Sequence, residues 1–203
     1  VGDVAQQDIL APYATSYTSQ VRTEQQIESA VNAVSPRYTS ADTSVARAQL
    51  DKMRAAFAYI SSVRADPYAT EEQKLADLAA LQDVQLSQET ASRVLALDEA
   101  SWQTVKQEAT VVLEQVMRNT IRENRVSEVS ASVPNMISLH LTEEQAEIAA
   151  DLVRAFLAPN SFYSESLTET AKQQVAENVE AVKVVFEAGE TIVQRGEVVS
   201  AAD

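Results

Sequence analysis

Apolar residues recur at helical spacing along most of this chain, and prolines or capping residues separate the successive runs. The sequence Thr-Glu-Glu-Gln occurs twice, beginning at Thr70 and at Thr142, and is typical of a capping box at a helix start. Pro36 and Pro67 end the first two runs, because proline restricts the residue before it to extended backbone. The pattern predicts helices at about 18–35, 42–63, 70–81, 87–97, 98–122, 142–156 and 166–182.

The helix predicted for residues 98–122 carries the longest continuous apolar stripe, so we expect it to be the central helix of the core. Trp102 lies on this stripe, which favours a core position over a role as an aromatic ligand platform. Residues 126–137 are ambiguous, because Pro134 makes a single long helix there unfavourable. The stripe consists of Trp102, Val105, Ala109, Val112, Leu113, Val116, Met117 and Ile121.

The two ends of the chain have a different pattern. The first twelve residues lack helical periodicity and read as extended, and residues 182–199 combine β-branched residues with glycines, as in short strands joined by turns. We expect the opening segment, about Asp8 to Leu10, to pair with a hairpin around Ile192 and Val198, because unpaired backbone groups need partners. Residues 200–203 look like the start of a further helix, and a chain opening on Val1 reads as a piece of something longer.

The predicted fold class is therefore mainly α, with a small β element near the termini. Residues 1–38 and 159–203 are expected to form a junction, with residues 39–158 inserted as a helical domain that projects away from it. Pairing of Asp8 to Leu10 with the residues around Ile192 and Val198 would tie the two termini together, so we expect both termini on one face of the fold.

Composition excludes several classes of function. Only three glycines are present and none lies within residues 3–188, which excludes Gly-rich nucleotide-binding loops. The chain has no cysteine, so disulfides, thiolate zinc sites and iron–sulfur clusters are excluded. Sixteen Lys and Arg against thirty Asp and Glu give a net charge of −14, which disfavours nucleic acid and anionic membranes as partners. No signal peptide and no apolar run long enough to span a membrane is evident in the sequence.

Few residues offer catalytic or metal-binding chemistry. His140 is the only histidine, which rules out a di-iron carboxylate bundle, and its position between two leucines favours half-buried packing. Five glutamates could pair for acid–base work or bind a cation, but we place them at helix starts, where the helix dipole stabilises negative charge. We therefore expect no catalytic residues, no metal and no cofactor, with the ligand-binding residues unknown. The five are Glu71, Glu72, Glu143, Glu144 and Glu147.

An ordered set of short motifs gives the chain a family resemblance. It includes Asp8-Ile9 with Ala11-Pro12 at the start, Leu86-Ser87, Ser101-Trp102 and Leu141-Thr142-Glu143-Glu144 in the middle, and Pro159-Asn160 with Gly189-Glu190-x-Ile192-Val193-x-x-Gly196-Glu197 at the end. In these the chain resembles the extracellular domain of bacterial seven-transmembrane receptors with an intracellular HD-type phosphohydrolase domain. Val182-Lys183-Val184 stands where the family usually has Val-Pro.

The resemblance implies an extracellular position in a multi-pass membrane protein of the bacterial cell membrane. One transmembrane helix would precede the domain and a bundle would follow it, and the cytoplasmic HD domain would hydrolyse a cyclic dinucleotide, cyclic di-AMP in the characterised branch. The chain contains no His-Asp doublet, so none of the family's catalytic residues carries over. Structural roles carry over to Gly189 and Gly196 in turns, and to Pro12 and Pro159 at helix entry.

Three functions remain open at the level of sequence. The first is a non-catalytic sensor or input domain whose extracellular ligand or protein partner acts on the membrane bundle. The second is an acidic helical spacer or oligomerisation module that binds no small molecule. As an oligomerisation module, the chain would form a homo-oligomer. The third, an enzyme in its own right, has the least support from the residues.

Overall fold

The computed structural model describes residues 2–81, 84 and 86–200. The chain divides into two compact units. The terminal unit consists of Val1–Arg37 and Ser164–Asp203, and the helical unit consists of Tyr38–Tyr163.

The mainly helical fold class is confirmed, with eight α-helices and four short strands among the described residues. Two 3₁₀ turns, Glu123–Arg125 and Val133–Met136, flank α6. The strands all lie near the termini. In chain order the elements are β1 Ile9–Leu10, β2 Thr15–Thr18, α1 Gln20–Asn32, α2 Thr43–Ala65, α3 Glu71–Ala79, α4 Gln88–Ala96, α5 Glu99–Met117, α6 Val126–Ser132, α7 Glu143–Phe156, α8 Glu165–Glu177, β3 Lys183–Phe186 and β4 Thr191–Val193.

Side-chain caps fix where the helices begin. Both predicted capping boxes are confirmed: Thr70 and Gln73 cap α3, and Thr142 and Gln145 cap α7, each pair bonding reciprocally to the backbone. Asp98 caps α5 by accepting from the Ser101 amide at 2.8 Å. Hydrogen bonds from the backbone and side chain of Ser101 hold the pKa of Asp98 below its ordinary value. The same hydrogen bonds therefore favour the ionised Asp98 carboxylate as the cap of α5.

The core of the helical unit forms around α5, as its stripe predicts. All eight stripe residues are buried, and α5 packs against α7 and α2. The Trp102 side chain is fully buried and meets the Phe57 ring edge-on at a centroid distance of 5.6 Å. Its indole N–H donates to Ser61 Oγ at 2.9 Å, so the one polar atom of the ring is satisfied. The core assignment of Trp102 is confirmed.

Helix α5 is shorter than predicted: it ends at Met117 and not near residue 122. Asn160, fully buried, closes this end: its side-chain amide donates to the carbonyls of Met117 and Asn119 and accepts from the Ile121 amide. These three bonds satisfy backbone groups that the end of a helix leaves open. The ambiguous stretch 126–137 resolves into α6 and the 3₁₀ turn that contains Pro134.

The terminal unit contains two separate two-stranded antiparallel sheets. In one, β1 pairs with β4, with Ile9 opposite Val193 and Leu10 opposite Thr191. In the other, β2 pairs with β3 from Thr15–Phe186 to Thr18–Lys183. The Tyr17 and Phe186 rings stack at 6.4 Å on the same sheet. Helices α1 and α8 contact each other in this unit.

The sequence predicted part of this arrangement. The pairing of the opening segment with residues 191–198 is confirmed by β1–β4 and by a bridge between Val4 and Val198. The predicted hairpin is wrong, because the residues around Ile192 and Val198 pair with the N-terminal segment and not with each other. Strand β2 was not predicted, and α8 ends at Glu177 rather than near 182, which leaves Lys183–Phe186 free to form β3.

The described ends of the chain lie side by side. The Gly2 amide donates to the Val199 carbonyl at 2.8 Å, and the Val199 amide donates to the Asp3 carbonyl at 2.9 Å. Val1 and Asp203, which the sequence placed on one face, lie outside the described residues, as does most of the helix start predicted at 200–203. Within the described ranges, no helix is both long and apolar enough to cross a membrane.

Candidate functional site

A polar cleft of about 520 Å³ lies in the helical unit, between α4 and α7. Two arginines and four carboxylates line it, together with small residues and Pro134. A second cleft of about 320 Å³ adjoins the first, because Asp151 and Arg154 line both. The charged residues of the larger cleft are Arg93, Arg154, Glu89, Glu143, Glu147 and Asp151.

Ion pairs organise the charged side chains of this cleft. Arg93, from α4, contacts Glu147 of α7 at 2.6 Å and Glu89 of its own helix at 3.8 Å. Arg154 contacts Asp151 at 3.0 Å, three residues earlier on α7. The Arg93–Glu147 pair is therefore the direct charged link between the two helices.

Further hydrogen bonds hold the second pair in place. Arg154 Nε donates to the Ser130 carbonyl at 3.2 Å. Thr90 Oγ1, on α4, donates to Asp151 Oδ2 at 3.0 Å and so forms a second link between α4 and α7. The cleft thus presents both signs of charge at fixed positions, with four carboxylates against two guanidiniums. Such a lining suits a small polar ligand with a cationic group, because the carboxylates are in excess.

The charged side chains of the larger cleft are carboxylates and guanidiniums. The lining contains neither cysteine nor histidine, and no serine or threonine lines the larger cleft. Among the described residues, no group of three or more His, Cys, Asp or Glu side chains is arranged to hold a metal ion.

The structure separates the five glutamates that the sequence singled out. Glu143 and Glu147 line the cleft. Glu71 and Glu72 lie in the first turn of α3, and Glu144 lies beside Glu143 in the first turn of α7. All of these glutamates except Glu147 occupy the helix starts predicted for them. Glu147 lies in the second turn of α7 and reaches across to Arg93.

Sequence reasoning missed both arginines of the cleft. Glu89–Arg93 and Asp151–Arg154 have the spacing of ion pairs along one helix, which is a detectable signal. That spacing occurs on many exposed helix faces, however, and does not show that α4 and α7 lie against each other.

His140 has a different environment from the one predicted. It is exposed in the turn before α7, next to a fully exposed Leu139. The prediction of half-buried packing between leucines was therefore wrong, because Leu139 itself faces solvent.

Arg64 is mostly buried beside Trp102, with its guanidinium carbon 5.3 Å from the ring centroid. The guanidinium donates to the carbonyls of Val94 and Leu97 at the end of α4. Burial lowers the pKa of Arg64, against the raising effect of the nearby Glu99 carboxylate at 3.7 Å. Arg64 therefore ties α2 to the end of α4 and has a structural role.

In the terminal unit, Gly189 and Gly196 lie in two turns of the same construction, which confirms their predicted role. Both have positive φ, 83° and 89°, a region that glycine adopts without strain. The Gly189 amide donates to the Ala11 carbonyl and the Gly196 amide to the Ala5 carbonyl, at 2.7 and 2.8 Å. Each turn thus fixes the C-terminal segment to the opening segment.

The glutamate that follows each glycine completes its turn. The Glu190 carboxylate accepts from the Glu187 amide at 2.7 Å, and the Glu197 carboxylate accepts from the Gln194 amide at 3.1 Å. The repeated Gly-Glu of the sequence is thereby explained as turn chemistry. The predicted helix-entry role of the prolines is wrong: Pro12 precedes β2, and Pro159 lies between α7 and α8 without starting either.

Comparison with known families gives one result. A family model described as 7TM-HD extracellular matches residues 1–203, which is the whole of the chain. No curated protein and no solved structure matches it. This match names the same family that the sequence motifs at both ends of the chain resemble. The chain belongs to the 7TM-HD extracellular family, the extracellular domain of seven-transmembrane receptors with HD domains.

Proposed function

We propose that this domain is a non-catalytic sensory input domain and that its ligand binds in the cleft between α4 and α7. The observation that carries the proposal is the set of ion pairs in this cleft, above all Arg93–Glu147 at 2.6 Å. Both side chains keep contact with solvent, so a ligand can reach them without opening the core.

The paired charges give the cleft a way to respond to a ligand. An ammonium group can replace Arg93 beside Glu147, and a carboxylate can replace Glu147 beside Arg93, so a charged ligand exchanges one ion pair for another. Partly exposed ion pairs contribute little to stability, which keeps the cost of the exchange low. Because Arg93–Glu147 joins α4 to α7, such an exchange changes the contact between these two helices.

The chain's connections define the route for a signal. The helical unit joins the terminal unit covalently at residues 37–38 and 163–164. The terminal unit pairs the two described ends of the chain, which on this proposal would lead towards the membrane helices of a seven-transmembrane receptor. Ligand binding would bias the membrane bundle and so the hydrolysis of a cyclic dinucleotide, such as cyclic di-AMP, by the intracellular HD domain. A ligand must bind the two states of the domain with different affinity to do this.

Thermal unfolding of the 203-residue chain with a panel of amino acids, cell-wall peptide fragments and small cations tests the proposal. A ligand present at one hundred times its Kd stabilises the folded state by about 2.7 kcal/mol, a measurable rise in Tm. Arg93→Ala should abolish the rise for a probe that binds through a carboxylate, and Glu147→Ala should abolish it for a probe that binds through an ammonium group. Arg125→Ala is the matched control, because Arg125 also pairs with a glutamate, Glu128, but lies outside the cleft. A rise that both Arg93→Ala and Glu147→Ala leave intact would contradict the assignment of the site.

A second candidate function is a spacer or oligomerisation module that binds no small molecule. The terminal unit favours it through large apolar residues that face solvent, among them Tyr13, Val185 and Val198 at 67%, 61% and 55% exposure. Light scattering after size exclusion distinguishes the two functions. A stable dimer with no response to any probe of the panel would favour the module.

A further inference from the structure

A second groove of the helical unit, between α2 and α5, has a positive rim on a strongly acidic protein. It consists of two adjoining clefts, of about 470 and 400 Å³, that share Arg54. Four cationic residues line the two clefts, and Glu114 is the one anionic residue among the lining, so the lining itself carries a net charge of 4 − 1 = +3. The whole chain carries −14. The cations are Arg47, Arg54, Lys106 and Arg118.

The three arginines among these cations are available to a partner. Arg54 pairs with Asp51 three residues away and Arg118 with Glu114 four residues away, and all four side chains are exposed. Such pairs contribute little and exchange readily. Arg47 forms no ion pair with any residue that the structure describes.

The floor of the groove is apolar. Val111 is 54% exposed, and Phe57 and Met117 line the clefts from the buried core beneath. On the α2 side the groove runs from Thr43 to Ala58. At a helical rise of 1.5 Å per residue these fifteen steps span about 22 Å, or four turns of helix.

We propose that this groove docks an acidic amphipathic helix of a partner protein, with its apolar face on Val111 and its carboxylates on Arg47, Arg54 and Arg118. An amphipathic helix laid into a shallow groove is a recurrent mode of recognition, and the length of the groove suits about fifteen residues. Charge complementarity selects an acidic helix over a neutral or basic one.

A second copy of this chain fits the groove less well. A twofold dimer places the same patch of each copy against itself, so this face would set guanidinium against guanidinium. Like charges brought together in an interface cost binding energy, which argues for a partner of different sequence.

The probe is a synthetic 18-residue helix with leucines at positions i, i+3, i+4 and i+7 and glutamates flanking them, labelled for fluorescence anisotropy. We expect saturable binding to the 203-residue chain that weakens as salt is raised. Arg47→Glu with Arg54→Glu should raise Kd about tenfold or more, since two attractive contacts become repulsive. Val111→Ser should also raise Kd, because it removes apolar area from the floor.

Arg125→Glu is the matched control, since Arg125 and Arg54 are similarly exposed and each pairs with a carboxylate three residues away. Its Kd should stay within about twofold of the wild type, and circular dichroism should show that all variants are folded. Equal binding of the acidic helix by the double variant would overturn the proposal, as would equal binding of a lysine version of the probe. Displacement of the probe by polyphosphate or anionic vesicles would assign the groove to a phosphate polyanion instead. Self-association that the double variant abolishes would assign it to a second copy.

Discussion

At the scale of single residues, the two turn glycines carry the most specific constraint in the molecule. Apart from the adjacent residues of the chain, no heavy atom lies within 4 Å of the position that a Cβ would take at Gly196, so a side chain there meets only the strain of φ at 89°. We expect Gly196→Val to destabilise the turn by about 1–2 kcal/mol, because left-handed backbone is unfavourable for residues with a Cβ. The Ala5 amide, which donates to the Glu197 carbonyl, should then exchange its hydrogen faster. Arg195→Val is the control, because no described residue other than glycine has positive φ.

The same substitution tests the junction in the full-length receptor. On the proposed input function, Gly196→Val should leave expression intact while reducing the effect that an extracellular ligand would have on the intracellular phosphohydrolase. A full response in that variant would show that the turn at Gln194–Glu197 is not on the route of the signal.

At the scale of elements, the stripe of α5 sets the stability of the helical unit. Val112 is 1% exposed, whereas its neighbour Val111 is 54% exposed on the same helix. We expect Val112→Asp to cost at least about 3 kcal/mol of unfolding free energy, because it buries a charge without a partner. Val111→Asp should be nearly neutral for stability. Urea unfolding of the two variants measures the difference, and equal costs would mean that the buried face of α5 is misassigned.

The C-terminal end of α5 depends on a residue that is distant in sequence. Asn160→Ala removes three hydrogen bonds and leaves the carbonyl of Met117 and the amide of Ile121 without a side-chain partner. We expect a loss of at least about 2 kcal/mol, since buried polar groups without partners are costly. Asn119→Ala, which removes an exposed side chain bonded to the Gln115 carbonyl, should cost much less. Denaturant unfolding compares the two, and similar losses would remove the special role of Asn160.

These elements show what sequence could predict and what it could not. Capping boxes and the α5 stripe were predictable, because a cap involves residues three apart and a stripe repeats every 3.6 residues. The end of α5 was not predictable, because Asn160, which accepts a hydrogen bond from the Ile121 amide there, lies 39 positions further along the chain. The two sheets and the α4–α7 cleft likewise depend on partners distant in the chain. A four-residue strand such as Thr15–Thr18, exposed throughout, has no alternation of burial by which a sequence pattern could reveal it.

At the scale of the whole molecule, net charge sets which surfaces the domain can approach. With −14 charges, the chain should show no salt-sensitive binding to DNA or anionic vesicles at ~0.1 M salt, where the Debye length is about 10 Å. The positive groove of α2 and α5 does not reverse this expectation, because an extended polyanion also meets the acidic surface around it. Anisotropy with labelled duplex DNA and vesicle cosedimentation test it, and micromolar binding to either would contradict the electrostatic argument.

The two units differ in how much core each one holds. The buried cluster of the helical unit includes Trp102, Phe156 and most of the α5 stripe, whereas the buried apolar residues of the terminal unit are few and mostly small among those described, such as Ala5, Ala11 and Val184. Apolar burial is the main stabilising contribution to a fold. We therefore expect the helical unit to unfold at a higher denaturant concentration than the terminal unit.

Residues 38–163 should fold without the terminal unit, because their two ends are tied to each other. Tyr38 pairs with Tyr163, the Thr39 amide donates to the Phe162 carbonyl at 2.9 Å, and Ser161 Oγ donates to the Thr39 carbonyl at 2.7 Å. Expressed alone, this segment should be helical by circular dichroism and unfold cooperatively, at the same urea midpoint as the later transition of the 203-residue chain. Residues 43–156, which lack these ties and Asn160 but keep α2 to α7, are the control and should unfold at lower urea. If residues 38–163 instead unfold without cooperativity, the core around α5 requires the terminal unit, and the two units are a single folding unit.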